Sequence, residues 1–142
     1  MGIDDVWREA QRAHAAGEIT RALALTREVL DAAPDHVEAL EHLANVLVTR
    51  QRKHAEGLAA IDRVIELRPD DAGSWYARGW LYEFAAHENR RRPSTSEGLS
   101  TKALYETAAE SFRRCLELHP AGKLEGDAQD LLDHVENELQ AS

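Results

Sequence analysis

Cysteine is nearly missing from this sequence. Among 142 residues only Cys115 carries a thiol, so no disulfide can form within the chain. Proline is scarce, with four residues at Pro34, Pro69, Pro93 and Pro120, which leaves long stretches free to be helical. No apolar run approaches the roughly 20 residues of a membrane span. The opening "MGIDDVWREAQRAH" carries charge from Asp4 onward, which is unlike a signal peptide. Gly2 lacks the Ser or Thr that N-myristoylation would place where Val6 stands. Basic residues are in deficit, 17 Lys and Arg against 26 Asp and Glu, for a formal net charge of −9. That balance argues against a nucleic-acid surface and against an anionic membrane, and suits a basic partner. These absences predict a cytoplasmic protein without nucleic-acid or membrane partners.

Catalytic and metal-binding patterns are missing too. No two of His14, His36, His42, His54, His87, His119 and His134 stand three or four apart, so no helical metal pair exists. "HENRR" at His87 lacks the second His of a zinc-protease motif. No phosphate-binding glycine loop or nucleophile elbow occurs. The expectation is no catalytic set, no metal, no cofactor and no enzyme.

Ala, Leu, Glu and Arg dominate what is present, a composition that favours helix. Three phrases look alike: "REVLDAAPD", "DRVIELRPD" and "RRCLELHPA". Each ends a helical pattern with proline, and Pro34 and Pro69 stand 35 residues apart. A period of that size points to a repeat array. Between the stops the pattern is helix, short break, helix. Leu40, Leu43, Ala44 and Leu47 form one apolar stripe; Leu58, Ile61, Val64, Ile65 and Leu67 form a second. The third unit repeats this with Trp75, Gly79 and Tyr82, then Ala108, Phe112, Cys115 and Leu116. The first is weaker: Val6, Ala10 and Ala13, then Ala22, Leu25, Val29 and Leu30, with Gly17 at the turn.

These residues resemble the tetratricopeptide repeat, whose pattern is W-x2-L-G-x2-Y, then A-x3-F, then P. The third unit reads Trp75, Arg78, Gly79, Tyr82, then Ala108 and Phe112, then Pro120, with the aliphatic stem of Arg78 in the Leu slot. The second fits with Leu40, Leu43, Ala44, Leu47, Gly57, Ile61 and Pro69. The first departs at Glu9 and Thr26, as a terminal repeat does. The resemblance implies a single all-α domain over 1–142, a right-handed α-solenoid of three helical hairpins plus a C-terminal capping helix. Its repeats would run from about 3 to 34, 37 to 69 and 72 to 120, with the cap from about 123 to 140. The cap is the stripe Leu124, Ala128, Leu131, Leu132, Val135 and Leu139 on an otherwise acidic helix; covering the groove or mediating a dimer is its alternative role.

The third unit is too long, with Pro69 and Pro120 51 residues apart. The surplus is an insertion near 86–102. The helix from Trp75 runs on toward Arg91 until Pro93 stops it, and Ser100 or Thr101 caps the next. A polar loop near Arg92 to Leu99 joins them. It reads first as a tolerated surface insertion and second as a partner contact. "RRRPS" there could also attract phosphorylation or phosphate, although three Arg at a helix end also suit the helix dipole.

"SWYARGWLYEF", Ser74 to Phe84, holds five of the eight aromatic residues. Trp75, Arg78, Gly79 and Tyr82 share the packing stripe. Tyr76, Trp80, Glu83 and Phe84 lie beside it, on the stripe that in tetratricopeptide arrays lines the concave groove. The resemblance extends that lining to Glu41, Asn45 and Val48 in unit two and to Trp7, Gln11 and His14 in unit one. It does not extend to the family's carboxylate clamp: the slots for its Lys, Asn and Arg hold Trp7, Gln11, His42, Gly73 and Ala77. The implied function is a non-enzymatic protein–protein interaction scaffold binding a peptide or helix of a partner in its concave groove. Acidic Glu38, Glu41 and Glu83 beside the rings call for a basic and apolar ligand. The alternative is a structural homo-oligomerisation module, a homodimer for instance, using the same aromatic surface. Coverage of the rings by the C-terminal helix competes with both.

Overall fold

Each helix begins and ends for a local reason. The computed structural model describes residues 2–93 and 98–141. Among them are seven α-helices and no strand: α1 (Ile3–Ala15), α2 (Ile19–Ala32), α3 (Val37–Thr49), α4 (His54–Leu67), α5 (Ala72–Arg91), α6 (Thr101–Glu117) and α7 (Lys123–Gln140). Pro34, Pro69 and Pro93 each directly follow the C-cap of α2, α4 or α5, where a residue without an N–H cannot extend the helix. Gly17, at φ +80°, turns α1 into α2 in a backbone region that side chains disfavour. Asp71 caps α5 by accepting from the Ser74 amide at 3.1 Å, and Ser100 caps α6 by accepting from the Ala103 amide at 3.2 Å. The imidazole of His36 does the same for α3, accepting from Ala39.

Part of the surplus of the third unit is helix, and the rest lies in the longer stretch between Arg91 and Thr101. Helix α5 has 20 residues and α6 has 17, against 13 or 14 in each of α1 to α4. Ser94 of "RRRPS" lies outside the described residues.

Successive helices pack as hairpins, α1 with α2, α3 with α4, and α5 with α6, and α7 lies against α6 and reaches α5. The result is an α-solenoid of three hairpins closed by a capping helix. Its main core runs through Leu43, Leu47, Ile61, Val64, Tyr105, Phe112 and Val135. Burying a side chain of this size is worth about 1.5–3 kcal/mol. Ala128, Leu132 and Val135 carry α7 into that core. A smaller cluster of Val6, Val29 and Ala39, flanked by Trp7, Leu25 and Leu30, joins the first hairpin to the second.

Two sequence expectations change here. Val48 does not line a groove: it is fully buried. Helix α4 approaches α3 so closely at Gly57 that a β-carbon there would come within 2.6 Å of Val48 Cγ2 and 3.0 Å of the Ala44 carbonyl. The packing stripe of α5 is also less buried than its pattern suggests. Gly79 is buried, but Trp75, Arg78 and Tyr82 are half-buried and reach polar partners at the edge of α4. The fully buried side of α5 is Leu81, Ala85, Ala86 and Asn89. Helix α5 meets α3, α4, α6 and α7, so it has no single apolar face. No helix among the described residues is long and apolar enough to cross a membrane.

Candidate functional site

Helices α3 and α5 line a cavity of about 470 Å³. Glu41 and Asn45 come from α3, one turn apart; Tyr76 and Trp80 come from α5, also one turn apart. These are four of the residues the sequence places in the groove. Ile61 and Leu81, both buried, form the floor, and His42 and Ala77 complete the wall.

The two rings are held from behind. Trp80 stacks on Phe84 with centroids 5.6 Å apart and planes at 21°. Tyr76 tilts against the buried Phe112 at 5.8 Å. Both cavity rings are half-buried; Ile3 and Leu99 are the exposed large hydrophobic residues among those described. Rings fixed in this way offer contact area with little entropy left to lose on binding.

The electrostatics are acidic and underpaired. Glu41 makes no ion pair or side-chain hydrogen bond among the described residues. Burial pushes its carboxyl pKa above the ordinary value, Arg68 opposes that, and Glu38 and Asp71 add to it. Arg68 itself pairs with Glu38 at 3.6 Å. Farther along α5, Glu83 is half-buried with its pKa raised by burial, and lies 3.8 Å from His134 Nε2 on α7. Glu83 therefore continues the stripe toward α7, and neither it nor Phe84, which backs Trp80, is part of the cavity wall.

The first hairpin contributes differently from the expected groove lining. Gln11 is exposed. Trp7 packs into the small cluster, its ring 5.3 Å from His36 and 6.0 Å from His42. His14 Nδ1 lies 3.1 Å from His42 Nε2, and His42 Nδ1 lies 2.9 Å from Thr26 Oγ1. The Thr26 hydroxyl donates to the Ala22 carbonyl at 2.8 Å. With its one proton so engaged, Oγ1 accepts from His42 Nδ1–H, and His42 Nε2 accepts from His14. Burial and the neighbouring His14 hold the His42 pKa below the ordinary imidazole value. Burial thus favours the neutral imidazole, and the chain of bonds ties α1, α2 and α3 together. Thr26, the departure in the repeat pattern, is its buried end.

Ile61, Leu81 and Ala77 were missed as cavity residues by stripe reasoning. Floor residues belong to the packing pattern and carry no separate signal in the sequence. Cys115 is buried and its thiol pKa is pushed up by burial, which leaves it unreactive. No group of three or more His, Cys, Asp or Glu suited to a metal occurs among the described residues.

No protein-family model matches the chain, and no curated protein does. Among solved structures the chain is similar to the first TPR of Spaghetti (RPAP3), bound to the HSP90 peptide SRMEEVD. The TM-score is 0.71 at 18% sequence identity, over 99% of this chain and 94% of that one. Together with the seven-helix hairpin stack, this likeness establishes that the chain has the tetratricopeptide-repeat fold.

Proposed function

We propose that this protein is a non-enzymatic interaction module that holds a peptide or helix of a partner protein against α3 and α5. The observation that carries the reading is the cavity between those helices, walled by Tyr76 and Trp80 on one side and Glu41 and Asn45 on the other. The division into repeats at about 3–34, 37–69 and 72–120, with α7 as the cap, belongs to the same reading, since it makes α1, α3 and α5 the inner helices. The similar TPR domain was solved with a peptide bound, which supports a peptide as the class of ligand.

The ligand chemistry must differ from that of the neighbour. SRMEEVD carries three acidic residues, and the cavity here already presents Glu41, with Glu83 farther along the same stripe. Like charges facing across a contact oppose binding. A basic and apolar segment fits instead, with rings supplying apolar area and carboxylates supplying attraction that salt screens.

A displayed random-peptide library tests the reading. Peptides enriched on the wild-type protein should lose binding to Asn45→Arg, which places a long cation at an exposed cavity position. Enriched peptides that bind both proteins equally would place the ligand elsewhere. A mass that doubles with concentration and falls back in Trp80→Ala would favour self-association through the same rings.

A further inference from the structure

We propose that the α3–α5 cavity is a pocket for one arginine side chain of the partner, stacked on Tyr76 or Trp80 and hydrogen-bonded to Glu41 and Asn45. This rests on the groove reading above and specifies its ligand.

Three observations converge on it. The first is an unused acceptor set. Neither Glu41 nor Asn45 spends its side chain on a hydrogen bond among the described residues, yet both face one cavity with Ile61 and Leu81 beneath. A carboxylate half removed from water beside an apolar floor gains from a cation that replaces the lost hydration, and burial is what raises the Glu41 pKa most. The nearby cation Arg68 is engaged with Glu38.

The second is the aromatic wall. Tyr76 and Trp80 stand one turn apart on the opposite side, each braced by another ring, Phe112 and Phe84. A cation over an aromatic face is attracted by the ring quadrupole, more strongly where water is excluded.

The third is the remaining polar lining. Both nitrogens of His42 are taken, by Thr26 and His14, so it does not compete for the ligand, and burial favours its uncharged form, which does not repel a cation. No Lys or Arg lines it.

These features together select arginine over lysine. A planar guanidinium can lie on a ring while its five donors reach a carboxylate and an amide oxygen at once. An ammonium is a hydrated point charge that does one or the other.

The test uses blocked, amidated peptide pools in which each position is fixed in turn as Arg, Lys, citrulline, Leu or Glu. Citrulline keeps the shape of arginine and removes the charge. One position should prefer Arg, and citrulline there should weaken binding about tenfold or more, the loss expected for a charge-assisted hydrogen bond. Glu41→Gln should abolish the difference between Arg and citrulline while leaving weaker binding of both. Equal binding of Arg and citrulline at every position overturns the arginine pocket. So does an Arg preference that survives Glu41→Gln. If Asn45→Arg still blocks those peptides, the groove reading stands and only its proposed ligand fails. If Asn45→Arg blocks none of them, or no pool binds, both fail.

Discussion

Gly79 of α5 and Phe112 of α6 are in such close contact that no side chain fits between them. A β-carbon on Gly79 would lie 2.7 Å from Phe112 Cε1 and 2.8 Å from Cδ1. The same Phe112 ring braces Tyr76, so the helix crossing and the cavity wall share one side chain. Alanine in a helix interior ordinarily stabilises relative to glycine by about 1 kcal/mol. Here overpacking outweighs that gain. Gly79→Ala should cost about 1–3 kcal/mol in urea unfolding, and Phe112→Leu in the same chain should recover part of it. A Gly79→Ala protein as stable as the wild type would mean that the crossing relaxes freely.

The proposed function makes Trp75 a fold residue and Trp80 a groove residue. Trp75 Nε1 donates to the Pro69 carbonyl at 2.7 Å, and Arg78 lies over its ring. Trp75→Ala loses packing and that bond, about 2–4 kcal/mol for a half-buried ring. Trp80→Ala should cost about 1–2 kcal/mol and weaken peptide binding more than Trp75→Ala does. Urea melts of the two variants with peptide titrations check both parts; Trp80→Ala as the more destabilising change would reverse the assignment.

The alkaline limit of stability should depend on Tyr82. Its hydroxyl donates to Asp62, 3.0 Å from each carboxylate oxygen, and Asp62 also accepts from Arg78 Nε at 2.9 Å. Burial, then the charge of Asp62, raises the Tyr82 pKa from 10.0 to about 12. A folded pKa above the unfolded one means that the folded state holds the proton longer. The associated stability is therefore complete below pH 10 and is lost as pH rises toward 12. Tyr82→Phe should flatten the fall in melting temperature over that interval. Absorbance titration should show one tyrosine ionising last, and that signal should vanish in the variant.

At the acid side the sign is set by His42. Its pKa is lowered from 6.5, so the unfolded chain takes up the proton first. Stability from the His14–His42–Thr26 chain is complete above pH 6.5 and is lost as pH falls through the folded value. The groups facing His42 are His14 and the Trp7 ring from α1, Thr26 from α2 and Tyr76 across the cavity, with Glu41 on its own helix. Between pH 7 and about pH 5.5 the melting temperature of the wild type should fall more steeply than that of His42→Gln. Parallel curves would show that the chain of bonds accommodates the proton without loss.

The helices were legible because their signals are local. Pro34, Pro69 and Pro93 end helices wherever they stand, Gly17 supplies a positive φ, and Ser100 caps α6 with its own hydroxyl. The added turns of α5 and α6 followed from the distance between Pro69, Pro93 and Ser100. Glu41, Asn45, Tyr76 and Trp80 were reached by helical spacing, since residues one turn apart share a face regardless of what packs on it.

What spacing does not contain is which face meets which neighbour, and tertiary packing decided that. Val48 has the same register as Asn45 and Glu41 but lies in the core, because α4 closes over it at Gly57. Helix α5 touches four others, so its packing and groove stripes merge, and Trp75 and Tyr82 finish half-buried with polar tips on Pro69 and Asp62. His14, Thr26 and His42 stand far apart in sequence and show no motif spacing; docking of the first hairpin on the second brings their polar atoms within 2.9–3.1 Å. Helix formation is governed by each residue and its neighbours one turn away, whereas burial is governed by whichever surface arrives from elsewhere in the chain.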